Sequence, residues 1–170
     1  VSVLGNGSSS INGNNTFHNL ILPNSASVTI NGNNSFNNLT LANSATTTIT
    51  GTQTFDGNFT CNGTCAIPAS LTGGTLNKTA GSITINYVRL LNSTVTGGAV
   101  FTANNSIDLG NNNGWNIYSS TSLNLHWIGN GGNWTDPEHW SLSSGGVSSG
   151  CVPTLIDNVF FDENSFGIGG

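Results

Sequence analysis

The residues with the clearest capacity for chemistry lie in the segment TDPEHW, residues 135–140. Asp136, Glu138 and His139 stand almost side by side there, and carboxylates near a histidine are common groups for acid–base catalysis. Glycoside hydrolysis usually takes two facing carboxylates, but the repeated part of the chain offers only Asp56. An Asp-Pro step is also a common start for a turn or a helix. We therefore expect a structural role for this segment, no catalytic residues, and no enzyme activity.

A second acidic group, formed by Asp157, Asp162 and Glu163, offers oxygen atoms of the kind that bind calcium. These residues do not follow the spacing of a recognised calcium loop. The scattered cysteines and histidines also lack the spacing of zinc ligands. The sequence therefore predicts no cofactor and no metal site, with calcium at this acidic group left as an alternative.

The three cysteines are an odd number, and they allow two interpretations. Cys61 and Cys65 flank the turn Asn-Gly-Thr and would form a disulfide if that turn is tight. Alternatively, both are small hydrophobic side chains buried in the core. Cys151 is left over, and a neighbouring unit outside this chain could supply its partner.

Aromatic residues cluster toward the C-terminal end. Three of the four tryptophans fall within WIGNGGNWTDPEHW, namely Trp127, Trp134 and Trp140. Such a cluster can close the open end of a stack of strands, or it can bind sugars by stacking on their rings. We expect the first role and keep carbohydrate binding as the alternative function. The interface of this cap or connector is expected to include Phe160, Phe161 and Phe166.

The elements that hold these side chains are indicated by a repeat of 19 residues. Residues 10–28 and 29–47 agree at 12 of 19 positions, and a looser third copy begins at Thr48. A unit this short buries too few apolar side chains to fold alone, so it must stack on its neighbours. Apolar residues alternate within each copy, and Asn-Gly pairs at 12–13 and 31–32 mark turns. The pattern predicts an all-β fold, a parallel β-solenoid.

Stacking at this period predicts that equivalent residues form ladders. The predicted core ladders are Ile11/Ile30/Ile49, Phe17/Phe36/Phe55, Leu20/Leu39 and Leu22/Leu41. Asn12 with Asn31, and Asn15 with Asn34, would form amide ladders at the corners or would serve only as turn formers. Both alternatives stay open for these asparagines.

The composition changes near residue 119, which suggests a domain boundary. Residues 1–118 are assigned to the solenoid, with the clearest repeats at 10–66. Residues 119–170 are assigned to a Trp- and Gly-rich β cap or inter-module connector.

The charge content excludes several classes of function. Only 5% of the residues are charged, the net charge is −5, and Lys78 and Arg89 are the only lysine and arginine. A nucleic-acid partner needs a basic patch, and membrane insertion needs a run of about 18 apolar residues; the sequence has neither. The first residues show no basic start and no apolar stretch, so no signal peptide is expected. The expected partners are copies of the chain or neighbouring modules, with surface glycans as an alternative.

Columns of outward-facing polar side chains suggest ice binding as a remote alternative function. The relevant columns are Ser10/Thr29/Thr48 and Asn12/Asn31/Thr50. A flat face of evenly spaced hydroxyls could order water, so ice binding is considered. The asparagines interrupt the hydroxyl pattern, which favours other functions.

Several stretches resemble the repeat modules of very long surface proteins from Bacteroidetes-type bacteria. The resemblance is carried by residues 78–115, KTAGSITINYVRLLNSTVTGGAVFTANNSIDLGNNNGW, by GNGGNWTDPEHWSLSSGG, and by CVPTLIDNVFFDENSF. Proteins of this kind are similar in carrying strings of β-solenoid modules in gliding and adhesion filaments exported by the type IX secretion route. The resemblance implies a right-handed parallel β-helix at the cell surface and a structural role in an extracellular filament or adhesin stalk.

Overall fold

The computed structural model describes residues 7–22 and 25–167 of the chain. The predicted absence of a signal peptide concerns, in part, residues 1–6, which lie outside the described residues. The chain is all-β, and its parallel strands stack into a β-solenoid of about 5 turns, which confirms the predicted fold class. It divides into two compact units, residues 1–120 and residues 121–170.

The first unit is built from short strands, most of them separated by corners rather than by long loops. These strands are β1 (Gly7–Ile11), β2 (Thr16–Leu22), β3 (Ser25–Ile30), β4 (Asn34–Leu41), β5 (Thr46–Ile49), β6 (Thr52–Phe55), β7 (Phe59–Thr60), β8 (Ala69–Thr72), β9 (Thr75–Asn77), β10 (Ser82–Asn86), β11 (Val88–Leu91), β12 (Thr94–Thr96), β13 (Val100–Asn104), β14 (Ile107–Asp108) and β15 (Asn116–Tyr118).

The strands of this unit pair in parallel with strands of the turns before and after them. The first sheet has the order β1-β3-β5-β8-β11-β14, and the second has β2-β4-β6-β9-β12 with β7 also paired to β4. The third sheet has the order β10-β13-β15. Backbone hydrogen bonds therefore run along the axis of the stack, so each turn is held by its neighbours.

Equivalent residues of successive turns lie one above another in the core. Phe36 pairs in register with both Phe17 and Phe55. The three rings stack, with centroid distances of 5.4 and 5.6 Å. The same registers align Ile11/Ile30/Ile49, Leu20/Leu39 and Leu22/Leu41. Except for Ile11 and Phe17, which are partly buried, these side chains are buried, and each contributes roughly 2–3 kcal/mol by leaving water.

Glycine occupies the corner that follows β1, β3 and β5. Gly13, Gly32 and Gly51 have positive φ angles of 93°, 87° and 75°. A Cβ atom at Gly32 would lie only 2.3 Å from the carbonyl oxygen of Gly13 in the turn above. Glycine is therefore needed at this corner for its backbone conformation and for the close approach of successive turns.

A ladder of amide side chains follows the same corner. The Asn15 amide donates to Asn34 Oδ1 at 2.9 Å, and the Asn34 amide donates to Gln53 Oε1 at 2.9 Å. On the outer side of the corner, the Asn31 amide donates to Asn12 Oδ1 at 2.8 Å. Asn34 and Gln53 are 1% and 0% exposed, so their mutual hydrogen bonds satisfy groups that water cannot reach. These asparagines thus form ladders as well as corners.

Strand β4 bends in its middle. The side chains of Phe36 and Leu39 are both buried, whereas Asn37 and Asn38 between them are partly exposed. A straight strand would place Phe36 and Leu39 on opposite faces. The bend allows one strand to contribute to two adjacent faces of the coil. Its second half, residues 38–41, lies between the equivalent part of β2 and strand β7.

Buried polar side chains support the later turns, where the strict period fades. Lys78 is 9% exposed, and its ammonium group donates to the carbonyl oxygens of Asp56 and Gly57 at 2.6 and 2.8 Å. The backbone N–H of Val88 donates to Ser106 Oγ at 3.0 Å. These contacts satisfy backbone groups at turns that the regular ladders do not cover.

The second unit contains β16 (Asn124–Trp127), β17 (Trp140–Ser141), β18 (Asn158–Phe160) and a 3₁₀ turn at Pro137–His139. The central strand β16 pairs antiparallel with β17 and parallel with β18. Its small core is formed by Leu125, Trp127 and Trp140. Across the part of the chain that the structure describes, no helix is both long enough and apolar enough to span a membrane.

Candidate functional site

An open groove of about 340 Å³ crosses three turns of the solenoid at strands β2, β4 and β7. Two columns of outward side chains form its walls, and neither column contains a charged residue. One wall consists of Asn19, Asn38 and Asn58, and the other consists of Ile21, Thr40 and Thr60. Its volume falls at the lower end of the range for small-ligand sites, roughly 300–1,000 Å³.

Hydrogen bonds fix the asparagine wall of this groove. The Asn38 amide donates to Asn19 Oδ1 at 2.7 Å. The backbone N–H of Asn58 donates to Asn38 Oδ1 at 2.7 Å. The Asn38 side chain cannot rotate without losing both contacts, so the part of this wall formed by Asn19 and Asn38 has its shape before any ligand arrives.

The opposite wall has polar groups that are available to bond a ligand. Within the described residues, the hydroxyls of Thr40 and Thr60 have no hydrogen-bond partner, and neither has the side-chain amide of Asn58 across the groove in the asparagine wall. Ile21 is 42% exposed and adds an apolar surface beside them. The groove thus offers polar atoms and methyl groups together, without charge.

The second unit contains an aromatic cluster centred on Trp140. Trp140 is fully buried, and its ring packs edge-on against Trp127, Trp134 and Phe161 at centroid distances of 5.0, 4.7 and 6.2 Å. Its indole N–H donates to the carbonyl oxygen of Trp134 at 2.9 Å. Trp127 is buried and stacks on the His139 ring at 4.8 Å. Trp127 and Trp140 are therefore structural members of this unit.

The rim of the aromatic cluster faces solvent. Trp134 is 47% exposed. Phe161 and Phe166 stack with nearly parallel rings 5.9 Å apart and are 53% and 46% exposed. Phe160 is 42% exposed and stacks on the His126 ring at 4.8 Å. The expected interface at Phe160, Phe161 and Phe166 stays a prediction, since a neighbouring module would have to cover them.

The TDPEHW segment forms the 3₁₀ turn. The Asp136 carboxylate accepts a hydrogen bond from the Glu138 N–H at 3.0 Å and so caps the turn. His139 Nδ1 lies 2.9 Å from the Ile128 carbonyl oxygen and donates to it. These contacts give Asp136 and His139 the structural role expected of them. The absence of enzyme activity stays a prediction.

The second acidic group is also engaged in local contacts. Asp157 accepts hydrogen bonds from the N–H groups of Leu123 and Thr154, each at 2.8 Å. Asp162 lies 2.8 Å from His126 Nδ1, and the bond to His126 lowers the pKa of the Asp162 carboxyl. Within residues 7–22 and 25–167, no group of three or more acidic, His or Cys side chains is arranged to hold a metal.

The predicted disulfide between Cys61 and Cys65 is wrong. Cys61 is a free thiol and fully buried. Its side chain follows Phe59 in the inward column that Leu39 and Leu41 occupy in the turn above, so the strand directs it into the core. Burial raises the pKa of this thiol to about 12, and the Thr47 hydroxyl lowers it to a smaller extent. Cys65 is disulfide-bonded.

The hydroxyl columns proposed for ice binding are aligned by the strand register. Thr29 pairs with Ser10 and with Thr48, and Thr72 continues the column. In the second column, the Asn31 amide bonds Asn12 and the Thr50 hydroxyl donates to Asn31 Oδ1 at 2.9 Å. Polar atoms of that column therefore hydrogen-bond one another along the stack. Ice binding stays an untested prediction.

Comparison with known proteins adds no relative. The chain matches no protein-family model, no curated protein and no solved structure. The link to Bacteroidetes-type surface proteins therefore rests on the resemblance of the residues alone.

Proposed function

We propose that the chain is a structural unit of an extracellular cell-surface filament or adhesin stalk, which associates with copies of itself or is arrayed end to end with neighbouring modules. The observation that carries this proposal is the continuous register of the solenoid, with Phe beneath Phe and Ile beneath Ile. Each of the regular turns adds an equivalent backbone ladder and equivalent core contacts. Such a stack gains length without needing a larger core, which suits a stalk.

Exposed apolar residues of the second unit support association with a neighbour. Strand β18 lies at the edge of its sheet, and Val159 and Phe160 on it are 40% and 42% exposed. Phe161 and Phe166 extend this apolar surface. An edge strand with exposed apolar side chains is a template for pairing with another chain.

The cysteines support the proposed location outside the cell. Cys65 and Cys151 are both disulfide-bonded. Disulfides form and persist in oxidising compartments and are rare in the cytosol. The resemblance supplies the finer proposal, which is a right-handed module of a Bacteroidetes-type gliding or adhesion protein exported by the type IX route.

Negative-stain electron microscopy of the chain and of a tandem fusion of three copies tests the filament proposal. We expect thin rods whose length grows in proportion to the number of copies, because every module adds turns to the same kind of stack. Isolated globules of unchanged width and length would contradict the proposal.

Analytical ultracentrifugation tests the contact surface separately. Phe160→Ser with Phe161→Ser should weaken self-association about tenfold or more, because two exposed rings no longer leave water at the contact. Ile67→Ser is the matched control, since Ile67 is 64% exposed and lies in the first unit. Equal effects of the two variants would show that the aromatic surface is not the contact.

Carbohydrate binding at the aromatic cluster is a second candidate, favoured by the exposure of Trp134. Its ring is held edge-on by Trp140 and leaves about half of its surface open to a ligand. Trp134→Ala should then abolish signals on a glycan array and leave the thermal unfolding of the unit largely unchanged. Trp140→Ala is the control for a structural tryptophan and should unfold the unit. Loss of folding in Trp134→Ala would assign Trp134 to the core instead.

A further inference from the structure

The groove across β2, β4 and β7 belongs to the first unit and shares no residue with the aromatic cluster of the second unit. We propose that it binds a neutral, extended, β-1,4-linked polysaccharide chain, laid along the axis of the stack. The inference does not rest on the filament function, because the groove is formed by outward side chains of the solenoid and needs no neighbouring module.

The absence of charge in the groove selects a neutral ligand. Both walls consist of amide, hydroxyl and apolar side chains. An ionised ligand would lose hydration in the groove without gaining an opposite charge, which is unfavourable. A neutral sugar loses hydration only from hydroxyl groups, and hydrogen bonds to the walls can replace those contacts.

The two walls match the two kinds of surface that a sugar presents. Sugar hydroxyls both donate and accept hydrogen bonds, as do the Thr40 and Thr60 hydroxyls and the Asn58 amide. The C–H faces of a sugar ring are apolar and can pack on Ile21 and on the threonine methyl groups. A few placed polar groups beside an apolar surface are typical of ligand-binding sites.

The repeat of the groove selects an extended polymer. Successive turns are about 4.8 Å apart, and each turn presents an equivalent pair of wall residues. One residue of an extended β-1,4-linked chain advances by a similar length, so each turn can meet one sugar. Neighbouring sugars in such a chain are rotated by about half a turn, so every second sugar presents the same face to the groove. A curved α-1,4-linked chain leaves this straight line after the first contacts.

The asparagine wall is organised before the ligand arrives. Asn38 is held through its amide by Asn19 and through its carbonyl oxygen by the Asn58 N–H. Binding therefore does not have to order the Asn38 side chain, and the entropy lost on binding is reduced by that amount.

Isothermal titration calorimetry with cellohexaose, a neutral β-1,4-linked oligosaccharide, tests the proposal. Thr40→Val with Thr60→Val removes two hydroxyls and keeps residues that favour strands. We expect about tenfold weaker binding by this variant, because each lost hydrogen bond contributes modestly. Thr46→Val with Thr48→Val is the matched control, since these threonines are exposed on β5 in another sheet. Maltohexaose, the α-1,4-linked isomer, should not bind.

A second variant, Thr40→Arg, fills the groove with a long side chain and should abolish cellohexaose binding while the unfolding temperature stays close to that of the parent chain. The proposal is overturned by an absence of cellohexaose binding, by equal weakening in the β5 control, or by equal binding of maltohexaose. Cellohexaose binding that is lost in Trp134→Ala but kept in both groove variants also overturns it and assigns the ligand to the aromatic cluster.

Discussion

One hydroxyl group in the core of the solenoid has no adequate partner. Thr47 is fully buried, and its Oγ1 atom makes no hydrogen bond to the rest of the described chain. The register places Thr47 between Val28 and Leu71 in an apolar column. The Thr47 hydroxyl lies close enough to the Cys61 thiol to lower its pKa, but a thiol is a weak hydrogen-bond donor and acceptor. A buried hydroxyl without a partner costs about 1–3 kcal/mol.

Thr47→Val should therefore raise the free energy of unfolding by about 1 kcal/mol, because valine fills the same position without a polar atom. Chemical denaturation followed by circular dichroism measures this change. Thr48→Val is the matched control at the next, exposed position of β5, where we expect a change within about 0.5 kcal/mol. Destabilisation by Thr47→Val would show that its contact with Cys61 is a real stabilising bond.

The buried Cys61 thiol predicts a reagent- and pH-dependent behaviour. At neutral pH, a thiol reagent should not label Cys61 in the folded chain, because the reactive form is the thiolate and the buried thiol stays protonated. After unfolding in the absence of reductant, the same reagent should label one thiol. Since the folded-state pKa is raised from 9.0 to about 12, the contribution of this thiol to stability is complete below pH 9 and falls between pH 9 and 12.

Thermal unfolding across that pH range checks the linkage, with Cys61→Ala as the control. The variant should lose the part of the alkaline destabilisation that comes from this group. Rapid labelling of Cys61 in the folded chain at neutral pH would contradict its buried placement.

At the scale of elements, the 19-residue period places whole strands but not their irregularities. Phe17, Phe36 and Phe55 lie at equal spacing, so stacking alone dictates that their rings meet. The bend of β4 has only a weak signal, because turn-favouring asparagines such as Asn37 and Asn38 occur throughout the repeats. The free Cys61 did have a signal, since Phe59 and Cys61 alternate as Leu39 and Leu41 do.

The strand pairing of the second unit could not be predicted from the sequence, for a different reason. Its strands occur once, so no repeat aligns them, and β16 pairs with β18 across a gap of 34 residues. The role of Lys78 was hidden in the same way, because its carbonyl partners Asp56 and Gly57 belong to another turn. Non-local contacts of this kind depend on the completed fold.

The corner glycines allow an experiment to separate the free-energy cost of a positive φ angle from the cost of a steric clash between turns. Gly13 and Gly32 have similar φ angles of 93° and 87°, but no described atom lies within 4 Å of a Cβ at Gly13. Gly13→Ala should therefore cost only the backbone penalty, about 1–2 kcal/mol. Gly32→Ala should cost more, because its methyl group collides with the Gly13 carbonyl. Denaturant unfolding of both variants measures the difference, and equal losses would contradict the close approach.

At the scale of the whole molecule, the scarcity of charge sets the response to salt. Two basic and seven acidic residues leave few ion pairs for salt to screen. We expect the unfolding temperature to change little between low salt and about 1 M sodium chloride, in contrast to a protein rich in surface ion pairs. Differential scanning calorimetry measures this change, and a large decrease with salt would reveal a stabilising electrostatic network.

The amide and phenylalanine ladders have a consequence for how such a chain changes over evolutionary time. Several core and corner residues of the block 29–47, such as Ile30 and Phe36, meet the same residue type in the turns above and below. Removal of that block, or insertion of another copy of it, would therefore leave these contact types in place. A deletion or duplication of one 19-residue repeat is therefore expected to change the length of the stack by one turn without many compensating substitutions.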